Sequence, residues 1–460
     1  MKTIRLLVAI LFVLFVTEGF GQSENAEENP RTALAEARKT YEQALKKKNS
    51  PLLIKSIILQ IKYQSLIDQD SIPTLLSNLE SLTATSNNPV EKSILHSLLA
   101  ELYKSYYINR AFEINRQTPI SGYTPEDMKI WTGNIFIEKI FHHIEASLKP
   151  SKELIATNSL QYKDILILGK DSREFSPTLY DLLVYRSIKL LSSISYYVSD
   201  FFEQKPLTND KLFAPADEFV QLSLPEEPYN CDQYIIRLYQ SLLQVQFNSG
   251  QKNTLLWANL QRLNFVSTHI TSVNASSLYE KALFELNEEY RNDPLRVEIL
   301  HTLAQLYLQK NIERLKSKIH IENPENPTKS EEEKETHKAL RLCQEGIRLF
   351  PHYFRINILK DLETTIKRSR VSVNLLQTVY PGKDQIIHVN YKNTSSIKFE
   401  LYKLNVKMND YLTGTSKAYP KEKISTRSYK LPSWLIAYDT TFQIPISRIG
   451  LYELIISSQG

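Results

Sequence analysis

The chain has 460 residues, 42% of them apolar and 23% charged, with a formal net charge of +5. That length exceeds what one hydrophobic core holds, so more than one domain is expected. Only 11 glycines leave little material for phosphate-cradling loops, and so mild a charge gives no footing for nucleic acid.

The first residues read as an export signal. Lys2 and Arg5 precede the apolar run Leu6 to Val16, and Gly19-Phe20-Gly21 offers a cleavage site before Gln22. The run is too short to span a bilayer, and no Cys lies nearby to carry a lipid anchor. Loss of residues 1–21 removes Lys2, Arg5 and Glu18 and leaves the mature chain at +4. No later run reaches membrane-spanning length, so no transmembrane segment is expected in the mature chain.

From Arg31 to Ser369 the pattern is helical. Leu34, Ala37, Tyr41 and Ala44 mark a first helix. Pro51 opens a second along Leu53, Ile57, Ile58 and Ile61, and a third runs from near Val90 to Tyr107. Tyr41-Glu42-Gln43-Ala44-Leu45 recurs as Tyr279-Glu280-Lys281-Ala282-Leu283, with a looser copy at His337-Lys338-Ala339-Leu340. The second copy breaks at Asn292-Asp293-Pro294 and the third at Pro351, each followed by another helical stretch. Helix, short turn, helix is the unit of tetratricopeptide-like arrays, whose neighbours must stack to bury their apolar faces. The polar, Pro-interrupted run from Glu322 to Lys334 reads as an exposed loop.

Near Val371 the apolar period changes from 3.6 to 2. Val371, Val373 and Leu375 alternate, as do Ile387, Val389 and Tyr391, then Ile397, Phe399 and Leu401. Phe442, Ile444 and Ile446 repeat the pattern, and so do Tyr452, Leu454 and Ile456. About six short strands are expected, where an immunoglobulin-like sandwich has seven. The expected organisation is therefore α+β and multidomain. A signal peptide over 1–21 and a disordered N-terminus over 22–30 precede an irregular TPR-like helical domain over 31–370. An incomplete antiparallel β-sandwich over 371–460, lacking its last strand, ends the chain and suggests truncation.

Chemistry is harder to find. His142-His143 is the densest histidine pair, but zinc-binding helices place histidines four apart, and adjacent ones diverge by about 100°; core-edge or solvated histidines are the expected reading. Gly169-Lys170-Asp171-Ser172 lacks the spacing of a phosphate loop and reads as a turn. Cys231 and Cys343 allow one disulfide in an exported chain, yet Cys343 sits on an apolar stripe, which favours buried free thiols. Asp70-Ser71-Ile72 and Asp439-Thr440-Thr441 resemble acceptors of O-linked glycans, a match that three residues often make by chance. Tyr106, Tyr107, Tyr185, Tyr196, Tyr197, Phe201 and Phe202 read chiefly as helix-packing aromatics. The sequence thus nominates no catalytic, cofactor-binding or metal-ligating residue, and no enzyme is expected.

Three stretches resemble the N-terminal part of bacterial alpha-2-macroglobulin-like proteins. The first is Trp131 to Leu148 followed by Ser176-Pro177-Thr178-Leu179-Tyr180-Asp181 and the residues to Arg186, where the family's Pro-Thr-Leu-Tyr-Asp run opens a helix. The second is Ala339 to Pro351, the helix preceding the β domain. The third is Val389-Asn390-Tyr391-Lys392-Asn393 with Ile397 to Leu404, which looks like the first macroglobulin domain, and Gly450-Leu451-Tyr452-Glu453-Leu454 matches its late strand. The family members are several times longer. They trap proteases with a cleavable bait segment and often a Cys-Gly-Glu-Gln thioester. Here Cys231 precedes Asp232-Gln233 and Cys343 precedes Gln344-Glu345, so the thioester is missing. With the export signal, the resemblance implies a periplasmic, cell-surface or secreted, non-catalytic N-terminal module, a scaffold in protease inhibition or host or envelope defence that cannot trap proteases by itself. Its implied partners are proteases or the remainder of a larger macroglobulin-like chain. The helical pattern alone equally fits a stand-alone exported TPR-like protein that binds a peptide or glycan.

Overall fold

Asparagine and proline set the starts of the early helices. Asn29 accepts from Thr32 N ahead of α1 (Pro30–Lys47), and Asn49 accepts from Leu52 N ahead of α2 (Ser50–Ile67). After α3 (Ile72–Thr85), Asn88 accepts from the backbone of Val90 and Glu91 to open α4 (Pro89–Ile114). The cap satisfies amides that have no partner inside the helix, and the proline at its side gives up none. The computed structural model describes residues 29–117, 125–166, 169–318, 333–375, 382–412, 419–446 and 448–459, the side chains of 69 and 313–318 excepted. The export signal read at 1–21, the segment 22–28 and most of the Pro-interrupted loop lie outside the described residues.

The chain divides into two compact units between Ala282 and Leu283. In the first, α5 (Gly133–Leu148) packs along α4, and a short α6 (Ser151–Ala156) follows. A one-turn α7 (Ser172–Phe175) leads to α8 (Leu179–Val198), which contacts α4, α5 and α6. The Pro-Thr-Leu-Tyr-Asp run does open this helix. Thr178 and Asp181 form a reciprocal capping box in which each side chain bonds the other's backbone N–H. The stretch 199–230 departs from the helical period expected there. It consists of turns with a 3-10 turn at Asp210–Phe213 and one short α-helix, α9 (Ala216–Phe219). The next two helices, α10 (Cys231–Ser249) and α11 (Lys252–His269), pack together, and α10 also lies on α8. A buried arginine fastens the irregular stretch to α11. Arg262 is 0% exposed, donates to the carbonyls of Leu212 at 2.7 Å and Ala214 at 3.0 Å, bonds Asn259 and stacks on Phe219.

Helix α12 (Ala275–Glu289) carries the second copy of the repeated pentapeptide. In the second unit, α13 (Arg296–Lys318), α14 (Lys334–Leu349) and α15 (Asn357–Lys367) pack against one another, with the expected break at Pro351. Gly346, inside α14, lets the buried Leu359 of α15 approach its backbone.

The rest of this unit is antiparallel sheet. Strand β1 (Arg370–Leu375) pairs with β2 (Asp384–Lys392), and β3 (Ser396–Leu404) follows. After α16 (Met408–Leu412) come β4 (Lys421–Lys430), β5 (Tyr438–Pro445) and β6 (Leu451–Gln459). Two three-stranded sheets result, ordered β1-β2-β5 and β4-β3-β6. Their shared core is the alternating set read from the sequence: Ile387, Val389, Tyr391, Ile397, Phe399, Leu401 and Ile444, with Tyr452, Leu454 and Ile456 packed at its margin. Strand β4 has no apolar alternation and is largely exposed, so packing offers no period to read there. The turn between β2 and β3 is anchored to α15. Asn393, at φ +48°, donates from its amide to the Lys367 carbonyl, and Lys392 Nζ donates to Thr365 O at 3.2 Å.

Among the described residues no helix is long and apolar enough to cross a membrane.

Candidate functional site

The densest polar cluster lies at the contact of α3, α4 and α5. Tyr103 on α4 stacks on Trp131 on one side and on the ring of His143 at 5.5 Å on another. His96, seven positions earlier on the same face of α4, places Nδ1 2.9 Å from Nδ1 of His143. The second nitrogen of His143 faces Glu80 Oε1 at 3.3 Å, and Lys139 Nζ reaches the same oxygen at 2.9 Å. Tyr103 also hydrogen-bonds Glu80. His142 is exposed, with its ring 5.1 Å from that of His143 and 6.3 Å from that of His96.

The electrostatics follow from this packing. Partial burial raises the Glu80 carboxyl, but bonds from His143, Lys139 and Tyr103 outweigh it and hold the group at about 2. Burial, then the neighbouring histidines and Lys92 and Lys149, push His96 down to about 4. Burial also lowers His143, against the opposing pull of Glu80, and drives Tyr103 far up. The cluster is therefore neutral imidazole beside a fixed carboxylate at neutral pH. Among the described residues no three His, Cys, Asp or Glu side chains are placed to hold a metal between them.

Reading His142 and His143 as a lone pair missed their partner. His96 comes from a different helix 46 positions before His142, and no local spacing announces it. The other sequence candidates fall apart in space. Ser172 turns its hydroxyl back to Gly169 O at 2.7 Å, which makes that segment a turn, as expected. Cys231 and Cys343 are free and buried, in different units, and burial pushes each thiol up to about 12; neither has the electropositive setting of a reactive thiolate. Tyr106 and Tyr107 are core, stacked on Phe136, whereas Tyr196 is exposed. Ser71 donates to Asp68 O within a turn, and Thr440 is a half-buried residue paired with Val389 on β2.

The second candidate is a sheet edge. Strand β6 bonds β3 along one side, and no described strand lies along the other. The opposite edge, β4, is guarded by Lys421, Lys423, Arg427 and Lys430. β6, reading Leu-Tyr-Glu-Leu-Ile-Ile-Ser-Ser-Gln, has neither Lys nor Pro. Charges and prolines are how a permanently free edge is kept from pairing. The β4 edge thus carries four cations, whereas β6 carries the single charge Glu453, which is paired with Lys421 at 2.6 Å.

No protein family's model matches the chain, and no curated protein matches it.

Proposed function

We propose that the protein is a non-catalytic, exported interaction module of alpha-2-macroglobulin-like type, in which the β6 edge receives a further strand. The contrast between the guarded β4 edge and the unguarded β6 edge carries the reading. Sheets ordered β1-β2-β5 and β4-β3-β6 fit an immunoglobulin-like sandwich whose seventh strand would lie beside β6. Tyr452, Leu454 and Ile456 stay only half-buried at that margin, which a seventh strand would cover. The paired helices on either side of Pro294 and Pro351 support a TPR-like scaffold before it. The leader over 1–21 supports export. The strand is taken to come from the continuation of a larger chain, so protease trapping belongs to the whole and not to this part.

The test is the mass of the native product, read with an antibody against residues 31–310 on fractionated source cells. The expected band is several times larger than 53.3 kDa and lies in an exported fraction. A band just below 53.3 kDa would overturn the reading and favour a stand-alone binder of peptide or glycan.

A further inference from the structure

Two imidazole nitrogens converge at the α4–α5 contact in a way that core packing does not require. Nδ1 of His96 and Nδ1 of His143 are 2.9 Å apart, with the ring centroids at 5.2 Å. The far nitrogen of His143 faces Glu80, which is ionised and can only accept. His143 Nε2 must then carry the ring proton, and its Nδ1 presents a lone pair toward His96. In the neutral pair His96 donates from Nδ1; a shift to its other tautomer turns two lone pairs onto one point. A histidine whose second nitrogen is held by a carboxylate is the usual arrangement behind a metal ligand.

We propose that His96 and His143 form a two-nitrogen site for a divalent transition ion of the Cu2+ or Ni2+ type. Metal–imidazole bonds of about 2.0–2.1 Å across a 2.9 Å gap give an angle at the metal of about 90°, the cis angle of a tetragonal ion. Tetrahedral Zn2+ needs the nitrogens roughly 0.4 Å further apart. The remaining positions belong to water, since no third described His, Cys, Asp or Glu joins the pair. His96 is half-buried, and the exposed His142 marks the open side through which an ion enters. Lys139 is tied to Glu80, while Lys92 and Lys149 add positive charge near His96 and weaken binding. The expected ion is therefore exchangeable, preferred in the order Cu2+, Ni2+, Zn2+, and it bridges two helices.

The test uses the full chain with NiCl2 or CuCl2 as the only added ligand. Calorimetry near pH 7.5 is expected to show one equivalent of Ni2+ bound, with saturation raising Tm by about 5 °C. Electron paramagnetic resonance of the Cu2+ form is expected to show coupling to two imidazole nitrogens. His96→Gln removes that equivalent and the Tm rise, and His142→Gln keeps both. Because His143→Gln disturbs a buried bond and can unfold the helix pair, the half-buried His96 variant and the wild-type Cu2+ spectrum carry the decision. Absence of the nitrogen coupling, unchanged binding in His96→Gln, or loss of binding in His142→Gln would each overturn the assignment.

Discussion

Gln246 donates from Nε2 to Asp181 Oδ1 at 2.6 Å, joining the buried face of α10 to the first turn of α8. Asp181 is 1% exposed and also closes the capping box with Thr178, while Thr254 donates to Gln246 Oε1. Burial raises the carboxyl, against the bonds from Thr178 and Gln246 that favour its charged form. Removing the side chain therefore strips a helix cap and leaves a buried amide donor unpaired. Asp181→Ala is expected to cost about 2–4 kcal/mol, seen as a lower urea midpoint, through the cap and the orphaned Gln246. Asp181→Asn keeps the shape and loses less. Equal stability of Asp181→Ala and the wild type would remove this relay from the account.

The cap and the relay differ in how far the sequence discloses them. Thr178 and Asp181 stand three apart before an apolar run, so the start of α8 is legible. Gln246 lies 65 positions away, and nothing local pairs it with Asp181. The same division holds elsewhere. Alternating Ile387, Val389 and Tyr391 announce their strand because one face is buried. β4 is silent because, of its residues, Tyr429 alone packs on the core of the two sheets and the rest are largely exposed. His142 and His143 are visible as neighbours, but His96 and Glu80 meet them only after three helices pack.

The histidine cluster makes stability fall on acidification. His96 has a folded value of about 4 against an ordinary 6.5, so its contribution is present above 6.5 and is lost as pH falls toward 4. His143, also lowered, acts in the same direction. Glu80, held at about 2 against 4.5, adds a second loss below 4.5. The His96 effect is about 2 kcal/mol once solvent screening of the half-buried ring is allowed for. Tm measured from pH 7.5 to 4 should therefore drop more steeply in the wild type than in His96→Gln. Parallel curves would show that His96 keeps its ordinary titration.

Arg262 is buried and has no ionic partner among the described residues, its charge held by two carbonyls, Asn259 and the Phe219 face. Burial lowers it to about 9. Nη1 alone serves the carbonyls of Leu212 and Ala214 while Nε and Nη2 grip Asn259 Oδ1, a planar spread of donors that a single ammonium cannot match. Arg262→Ala is expected to cost about 2–5 kcal/mol, through the acceptors it leaves unpaired and the cavity it opens, and Arg262→Lys to recover only part of it. Hydrogen exchange should show the 207–222 turns opening first in both variants. Protection of those turns unchanged from wild type would mean that something else fastens them.

Gly346 sits mid-helix, where alanine would ordinarily gain about 1 kcal/mol. Here a Cβ would run into Leu359 Cδ1 and come within 3.1 Å of Leu300 Cδ1, and both leucines are 0% exposed. Neither can swing into solvent, so overpacking by about 1–3 kcal/mol outweighs the propensity gain. Gly346→Ala is expected to lower stability, and adding Leu359→Ala to cost less than the sum of the two changes. Simple additivity in that double-mutant cycle would show that the two positions do not touch.

The unguarded edge predicts behaviour that a single charge should change. Ile455 on β6 pairs with Glu400 on β3, and Glu400 already binds Lys398 at 3.0 Å and Lys423 at 2.7 Å. A lysine at 455 would stand on this charged outer face and leave the core set of Tyr452, Leu454 and Ile456 alone. Lysine on an edge strand blocks pairing with another chain. Ile455→Lys is therefore expected to shift Tm little, within about 0.5 kcal/mol of stability, while lowering concentration-dependent self-association of the chain in light scattering. The same variant should weaken capture of an added seventh strand if the edge is its seat. Self-association unaffected by Ile455→Lys would move the contact away from β6, and with it the main support for a strand docking there.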